Sequence, residues 1–376
     1  MKKIKVLQII SNMGAGGAQR IVLNYLNKFN NDDNIEVKLL VLGSKTNSCY
    51  DTEIAKNKYD VQYLNIKNKK IPFVHRFVNF NFNNSLILKA INKYNPDIIH
   101  VHLFGTLKSL SGIFDKCNTK MIFYTLHSNP ERFTGLDLRI AKKVFSLPNF
   151  VPVCLNEEQL KIAKKHYGKA KYEIAYNGVD FQKIKSEIIN KNIARKKFNV
   201  NENNYLISTV GRLDPIKNYS FLLDVFNEVT KLNKDALLVF AGDGNEMEML
   251  KLKAENLKID NKVIFLGNID NCTELYCASD AFVLTSISET TSLVFLEAQA
   301  CNTYCVISKG VPDESIITSK VKKMNENASI LDWAKALLNN NYKSKPVLKF
   351  DNYEIDQTIN NIKKMYFKYS GDSNEQ

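Results

Sequence analysis

Three groups of residues in this 376-residue chain combine types and spacings that can do chemistry. In Gly211-Arg212-Leu213-Asp214-Pro215-Ile216-Lys217-Asn218, two cations sit in a glycine-led, proline-containing turn. Fixed cations of this kind stabilise a diphosphate, and do so more strongly as a departing diphosphate gains charge; an ordinary charged surface loop is the plainer alternative. Glu289 and Glu297 are eight positions apart, slightly over two helical turns, which predicts both carboxylates near one helix face, one at its mouth and one deeper. Carboxylates in such a crevice accept hydrogen bonds from sugar and ribose hydroxyls. Glu297 is flanked by Leu293, Val294, Leu296, Ala298 and Ala300. A carboxylate on so apolar a stretch is costly unless partnered, whereas a capping or solvated role is the plainer reading of Glu289. The third group, Gly14-Ala15-Gly16-Gly17-Ala18-Gln19-Arg20, follows an apolar run and opens a helical pattern, so backbone N–H groups and the positive helix end can meet an anionic or hydroxyl-rich ligand. A dinucleotide fingerprint is disfavoured. Gln19 holds the third glycine position, and the next apolar run ends Val41-Leu42-Gly43-Ser44 with no acid for a ribose.

These groups need rigid elements behind them. Residues 5–10 read as a buried strand and are followed by a helix carrying Ile21, Val22, Tyr25, Leu26 and Phe29 on one face. Further strands are expected at 37–42, 98–103, 121–126 and 151–155, alternating with helices at 85–93 and 157–167. The pattern breaks at Asn177-Gly178-Val179-Asp180, and a polar, Lys-rich and Asn-rich passage to Asn204 marks the expected domain boundary. A second series follows: strands at 205–210, 236–241, 262–266 and 281–285, and helices at 218–231, 246–257, 272–278 and 292–300. The alternation predicts α/β architecture, with parallel sheets covered by helices on both faces, and it brings Arg212, Lys217 and Glu289 to the carboxyl edge of one sheet. His100 and His102 fall within a strand, where packing or hydrogen bonding in the core is the expected role.

Composition bounds the function. Length suits two α/β domains, and 44% hydrophobic with 24% charged residues is the balance of a globular protein. Seven cysteines form no C-x-x-C pair, which suggests a reduced, cytoplasmic protein. Neither a signal peptide nor a membrane span is expected from the sequence. No Asp-x-Asp and no His/Cys zinc spacing occur, so no metal and no cofactor are expected. The net charge of +13 lies wholly in residues 1–180, with 27 Lys and Arg against 14 Asp and Glu; residues 181–376 carry 25 of each. No nucleic-acid motif accompanies it. The stretch around Lys67, Lys69, Lys70, Phe73, His75, Arg76 and Phe77 interleaves cations with apolar side chains, which points to peripheral contact with an anionic membrane.

Taken in order, Gly16-Gly17-Ala18-Gln19, Ile98-Ile99-His100-Val101-His102, Tyr124-Thr125-Leu126-His127-Ser128, Tyr176-Asn177-Gly178-Val179-Asp180, residues 211–218, Phe240-Ala241-Gly242-Asp243-Gly244 and the stretch from Glu289 to Glu297 resemble the family 4 retaining glycosyltransferases of bacterial capsule and exopolysaccharide assembly. The likeness covers nearly the whole chain. It implies a GT-B fold of two facing Rossmann-like domains: residues 1–180 for the acceptor, 181–350 for the nucleotide sugar, and 351–376 as a helix crossing back to the first domain, plus a tail. It also implies a hexosyl transfer with retained configuration and no metal, from a nucleoside diphosphate sugar, UDP-linked, to a glycan or lipid-linked glycan at the inner face of the plasma membrane. The donor is then a substrate rather than a cofactor.

By position, the resemblance implies that Arg212 and Lys217 hold the diphosphate, Glu289 the donor sugar and Glu297 the ribose. His127 stands beside the reacting centre, Gly16 and Gly17 close over the donor, and backbone near Asn268 touches the base. Thr291, Ser292 and Leu293 belong to the donor site at the helix start. Thr290-Thr291-Ser292 departs from the small, glycine-containing stretch usual there and bears on donor identity; its hydroxyls are expected to cap the helix. A non-catalytic partner subunit and a nucleotide-sugar epimerase of the same fold are the alternatives.

Overall fold

The structure, a computed structural model, describes residues 3–46, 48–66, 73–339 and 351–371, with backbone only for 73–82. The chain forms two compact units: residues up to Asn177 together with those from Asp356 on, and Gly178–Ile355.

In the first unit the elements run β1 (Ile4–Ile10), α1 (Gly17–Phe29), β2 (Ile35–Val41), α2 (Cys49–Asn57), β3 (Val61–Tyr63), α3 (Phe73–Tyr94), β4 (Ile98–His102), α4 (Phe104–Leu110), β5 (Met121–Thr125), α5 (Gly135–Phe145), β6 (Phe150–Cys154), α6 (Glu157–Tyr167) and β7 (Glu173–Ile174). The strands pair in parallel in the order β3-β2-β1-β4-β5-β6-β7. β4, β5 and β6 are buried along their whole length, as strands covered on both faces must be.

The second unit begins with α7 (Phe181–Glu187) and α8 (Lys191–Lys197), then β8 (Tyr205–Val210), α9 (Tyr219–Leu232), β9 (Ala236–Ala241), α10 (Met247–Asn256), β10 (Val263–Phe265), α11 (Cys272–Ala278), β11 (Ala281–Leu284), α12 (Leu293–Ala300), β12 (Tyr304–Ile307), β13 (Val321–Lys323) and α13 (Ile330–Leu338). Its parallel sheet has the order β10-β9-β8-β11-β12-β13. Alternation along each strand divides the core in two. Ile207, Leu238, Phe240 and Val283 pack under α9 and α13, whereas Leu206, Val239, Phe282 and Leu284 meet Leu275, Tyr276, Phe295 and Ala298 of α11 and α12.

The polar passage at 181–204, where the sequence reading gives no helix, carries local structure of its own. It holds α7 and α8, capped by Asp180 and Asn190. Each buries only a narrow stripe, Phe181 and Ile184 in one and Ala194 and Arg195 in the other, too short for a helical period to stand out among lysines and asparagines. Arg195 anchors the passage by a 2.6 Å ion pair to Asp280 and hydrogen bonds to three carbonyls.

The last helix, α14 (Ile355–Ser370), buries Ile359, Ile362 and Tyr366 at helical spacing. It docks on the first unit through Lys363–Asp32 at 2.7 Å, Lys28–Asp356 at 2.5 Å and Lys368–Glu173 at 2.5 Å.

Candidate functional site

In an open parallel sheet, ligands bind beyond the carboxyl ends of the strands where the strand order reverses. In the second unit that point lies between β8 and β11. Arg212 and Lys217 follow β8, and Glu289 follows β11. The structure brings Lys217 and Glu289 together, with Nζ 2.6 Å from Oε1 and both side chains largely buried. Ser286 Oγ donates to the same Oε1 at 2.7 Å. Glu289 Oε2 has no partner among the described residues. Arg212 is 65% exposed and grips Asp214 Oδ2 through Nε at 2.7 Å and Nη2 at 2.6 Å. Each expected diphosphate cation therefore already holds a carboxylate, and the four charges sum to zero.

Backbone hydrogen bonds lace the loops at this edge. Ile287 N donates to Ile216 O at 2.8 Å and Leu213 N to Asp243 O at 2.9 Å, while Gly242 N donates to Gly267 O at 2.7 Å. Thr285 Oγ1 donates to Lys217 O at 2.9 Å. Approach this close requires glycine. A Cβ on Gly242, at φ +138°, would lie 2.0 Å from Gly211 O, and one on Gly310 would lie 2.3 Å from Ile287 O. Gly310 O in turn accepts from Glu289 N at 2.8 Å, which fixes the glutamate's backbone. Asn268 follows Gly267 on an exposed loop beyond β10.

Two expectations about α12 need correction. Glu289 lies on the loop before the helix, which starts at Leu293, so the two carboxylates do not share a helix face. Backbone bonds from Ile287 N to Ile216 O and from Glu289 N to Gly310 O hold that loop in place ahead of the helix, which begins one residue after the expected start at 292. Ser292 occupies the N-cap position but makes no side-chain cap, and its Oγ and Thr291 Oγ1 are buried without partners. Unpaired buried hydroxyls at a helix start are a feature that a polar ligand would resolve. Glu297, on α12, accepts from Tyr276 Oη at 3.2 Å. Burial and the neighbouring Glu297 push the Tyr276 hydroxyl's pKa well above its usual range, so it stays a donor.

The remaining expected residues lie in the first unit. Gly17 opens α1, and Gly16 precedes it with no side-chain cap on the helix. Asn12 Oδ1 braces this turn, accepting from Gly14 N at 3.1 Å and Gln19 Nε2 at 3.2 Å. His127 follows β5, half-buried, with Nε2 3.0 Å from His102 Nδ1. Burial holds its pKa at about 3, so the ring is neutral. His100 and His102 are fully buried on β4 with rings stacked 4.4 Å apart. Burial takes His100 to about 3 and His102 well below its usual value.

Asp214, Ser286, Tyr276 and Gln8 escaped the sequence reading. Gln8 had a signal, as a polar residue inside the apolar run Lys5-Val6-Leu7-Gln8-Ile9-Ile10. The other three are ordinary polar residues until the fold sets them beside their partners. Lys67, Lys69 and Lys70 lie outside the described residues, as do the side chains of Phe73, His75, Arg76 and Phe77. Among the described residues no cluster of three His, Cys, Asp or Glu could hold a metal, and no helix is long and apolar enough to cross a membrane.

The family model described as Glycosyltransferase Family 4 matches residues 15–183, and that described as Glycosyl transferases group 1 matches residues 190–341. The UDP-Gal:alpha-D-GlcNAc-diphosphoundecaprenol alpha-1,3-galactosyltransferase of Escherichia coli is 26% identical over 239 residues, which is 59% of this chain and 60% of that protein. An N-acetylgalactosamine-N,N'-diacetylbacillosaminyl-diphospho-undecaprenol 4-alpha-N-acetylgalactosaminyltransferase of Campylobacter jejuni is 25% identical over 316 residues, or 80% and 79% of the two chains. The match thus spans less than two thirds of the Escherichia coli relative's length. Among solved structures, Anabaena Alr3699/HepE in complex with UDP-glucose superposes with a TM-score of 0.74 at 17% identity, covering 97% of this chain and all of that one. The fold is therefore of the GT-B class, with a parallel α/β sheet in each unit.

Proposed function

This chain belongs to glycosyltransferase family 4, and from that premise we propose that it transfers a hexose from a UDP-linked donor to a hydroxyl of a glycan or lipid-linked glycan in cell-surface polysaccharide assembly. The second unit holds the donor and the first the acceptor. Arg212 and Lys217 take the diphosphate, Glu289 the sugar hydroxyls and Glu297 the ribose. Backbone near Asn268 meets the base, and the buried hydroxyls of Thr291 and Ser292, with the Leu293 backbone, meet the diphosphate at the start of α12. Gly16 and Gly17 close over the donor, and His127 stands beside the reacting carbon.

In the reaction the bond from the anomeric carbon to the donor phosphate oxygen breaks, and the acceptor oxygen bonds to that carbon on the same face. The acceptor proton passes to the departing phosphate oxygen. Configuration is retained without a protein nucleophile, and the charge left on the diphosphate is met by Lys217 and Arg212 rather than by a metal. The observation that carries this reading is Glu289, which spends one oxygen on Lys217 and Ser286 at the strand-order reversal and keeps the other for a ligand.

The relatives named for diphosphoundecaprenol-linked substrates support a lipid-linked acceptor. With the basic first half of the sequence, they also support a cytoplasmic protein held peripherally at an anionic leaflet. A panel of nucleotide sugars tested for protection against thermal unfolding checks the donor assignment, since a ligand at 100 times its Kd adds about 2.7 kcal/mol. Protection by UDP-sugars with release of UDP on adding acceptor is expected. No protection by any nucleotide sugar would refute the reading.

A further inference from the structure

The ends of α11 and α12 bring two cysteines of the second unit together at the amino edge of its sheet, opposite the edge that carries Lys217 and Glu289. Cys277 lies in the last turn of α11, and Cys301 is the C-cap residue of α12. Tyr276 fastens the two helix ends on either side of the pair. Its Oη donates to Glu297 Oε2 at 3.2 Å, and its backbone oxygen accepts from Thr303 Oγ1 at 3.1 Å. Glu297 precedes Cys301 by one helical turn and Thr303 follows it by two residues, so Cys277, next to Tyr276, faces Cys301. The Cys301 thiol donates to the Cys277 sulfur. Both residues are partly exposed and line a polar cleft of about 270 Å³ with Lys191, Asp280, Asn302 and Lys320.

The two thiols are set apart by their surroundings. Burial raises a thiol, as it does Cys117, pushed up to about 11, and Cys154, pushed up to about 12. Cys277 moves the other way. The hydrogen bond from Cys301, helped by the Ile189 backbone, brings it down to about 6. Cys301, the donor in that bond and itself desolvated, is raised far above the usual thiol range. At neutral pH the pair therefore holds a thiolate at Cys277 and a proton on Cys301. A thiolate is the nucleophilic form of cysteine, and a redox-reactive thiolate is one that solvent can reach and that has a second thiol beside it to resolve the first product. The cleft supplies the access and Cys301 the second thiol.

We propose that Cys277 and Cys301 are a peroxide-reactive thiol pair, whose oxidation to a disulfide ties α11 to α12 and weakens nucleotide binding by shifting Glu297. The effect on the nucleotide rests on the reading of Glu297 as the ribose ligand; the thiol pair does not. The co-reactant is a hydroperoxide. The Cys277 thiolate attacks one peroxide oxygen, so that an S–O bond forms, the O–O bond breaks and the departing oxygen takes up a proton. Cys301 then gives up its proton and attacks the Cys277 sulfur. The S–S bond forms, the S–O bond breaks, and the hydroxide leaves with that proton as water. Two thiols lose two electrons and one peroxide gains them. Sulfurs in a disulfide are about 2.05 Å apart, closer than unbonded sulfurs can come, so closure draws the ends of α11 and α12 together. Glu297, one turn from Cys301 and bonded to Tyr276, moves with them.

The test uses the full chain in its reduced form. A stoichiometric amount of hydrogen peroxide is added at neutral pH, remaining thiols are blocked with iodoacetamide, and peptides are mapped by mass spectrometry without reduction. A linked Cys277–Cys301 peptide, lighter than its parts by two hydrogens, should form ahead of any oxidation at the exposed Cys49. Cys301→Ser should leave Cys277 as a sulfenic acid that dimedone traps, and Cys277→Ser should leave Cys301 a free thiol. Absence of the linked peptide from the wild type, or oxidation of Cys277 no faster than that of Cys49, would overturn the pair. Calorimetry with UDP reads the coupling. The oxidised protein is expected to bind up to about tenfold more weakly, the equivalent of one ordinary hydrogen bond, with affinity restored by dithiothreitol. Equal affinity before and after oxidation, with the linked peptide present, would overturn the coupling through α12, as would the same loss in peroxide-treated Cys277→Ser. If the reduced protein binds no UDP, the donor reading fails, while the peptide map still decides the thiol pair.

Discussion

Lys217 Nζ and Glu289 Oε1 are 2.6 Å apart, joined across the point where the second sheet reverses its strand order. The pair makes each residue the other's support. Among the described residues, without Lys217 the Glu289 carboxylate keeps only Ser286, and without Glu289 the ammonium loses its one carboxylate. Lys217→Ala is expected to lower turnover ~10²–10³-fold, the usual cost of removing one preorganised donor from developing charge. Residues in contact are not additive, so Lys217→Ala with Glu289→Ala should cost less than the two single losses combined. Steady-state rates for the four proteins check this. Unchanged turnover in Lys217→Ala would remove the diphosphate assignment.

Much of the frame that supports this pair was legible from local pattern. The strands at 205–210 and 236–241 and the helices at 157–167 and 272–278 match the sequence reading residue for residue. In each, apolar runs are bounded by turn residues or caps such as Asn156 and Asn271. What stayed hidden was long-range. β3, β7 and β13 are two or three residues each and show no period, and Asp214, Ser286 and Tyr276 gain meaning only through partners that folding brings to them. Glu289 was found but misplaced. A count of eight positions implies a shared helix face only if the helix is continuous, and backbone bonds to Ile216 and Gly310 keep it from starting before Leu293.

The close approach at Gly242 predicts a stability effect that can be separated from ordinary glycine conformational cost. Alanine at 242 would set its Cβ 2.0 Å from a backbone oxygen at φ +138°, so the Gly211 loop has to move. Gly168, at φ +91° with nothing within 4 Å, bears the conformational cost alone. Gly168→Ala should lose roughly 1 kcal/mol and Gly242→Ala several times that, on the order of 3 kcal/mol or more. Urea unfolding of both variants provides the comparison. Equal losses would mean that the Gly211–Gly242 contact imposes no constraint.

The neutral histidine cluster predicts how stability responds to acid. His100 and His127 have folded pKa values of about 3, lowered chiefly by burial, against an unfolded value of about 6.5. Above pH 6.5 both states are neutral and the rings impose no pH dependence. Between about 6.5 and 3 the unfolded chain binds protons that the folded chain does not, so stability falls as pH falls, by up to ~1.4 kcal/mol per pH unit for each ring. Denaturation midpoints should therefore decline from pH 7 to pH 5, and less steeply in His127→Gln. A midpoint that rises over that interval would contradict the neutral state of the cluster.

The charge asymmetry predicts salt-dependent membrane attachment. All of the +13 net charge falls within residues 1–180. Near an anionic leaflet each Lys or Arg contributes ~1 kcal/mol, an effect that fades within about 8 Å at physiological salt. Vesicles containing anionic lipid should sediment the protein at low salt and release it at high salt, while vesicles of neutral lipid should not retain it. Reversing Lys67, Lys69, Lys70 and Arg76 to Glu should weaken sedimentation without changing UDP-sugar affinity, because the donor cations Arg212 and Lys217 belong to the other unit. Equal sedimentation of the reversed and wild-type proteins would show that this stretch is an ordinary solvated segment. If neither binds anionic vesicles, attachment through the basic half fails altogether and an acceptor free in solution takes its place.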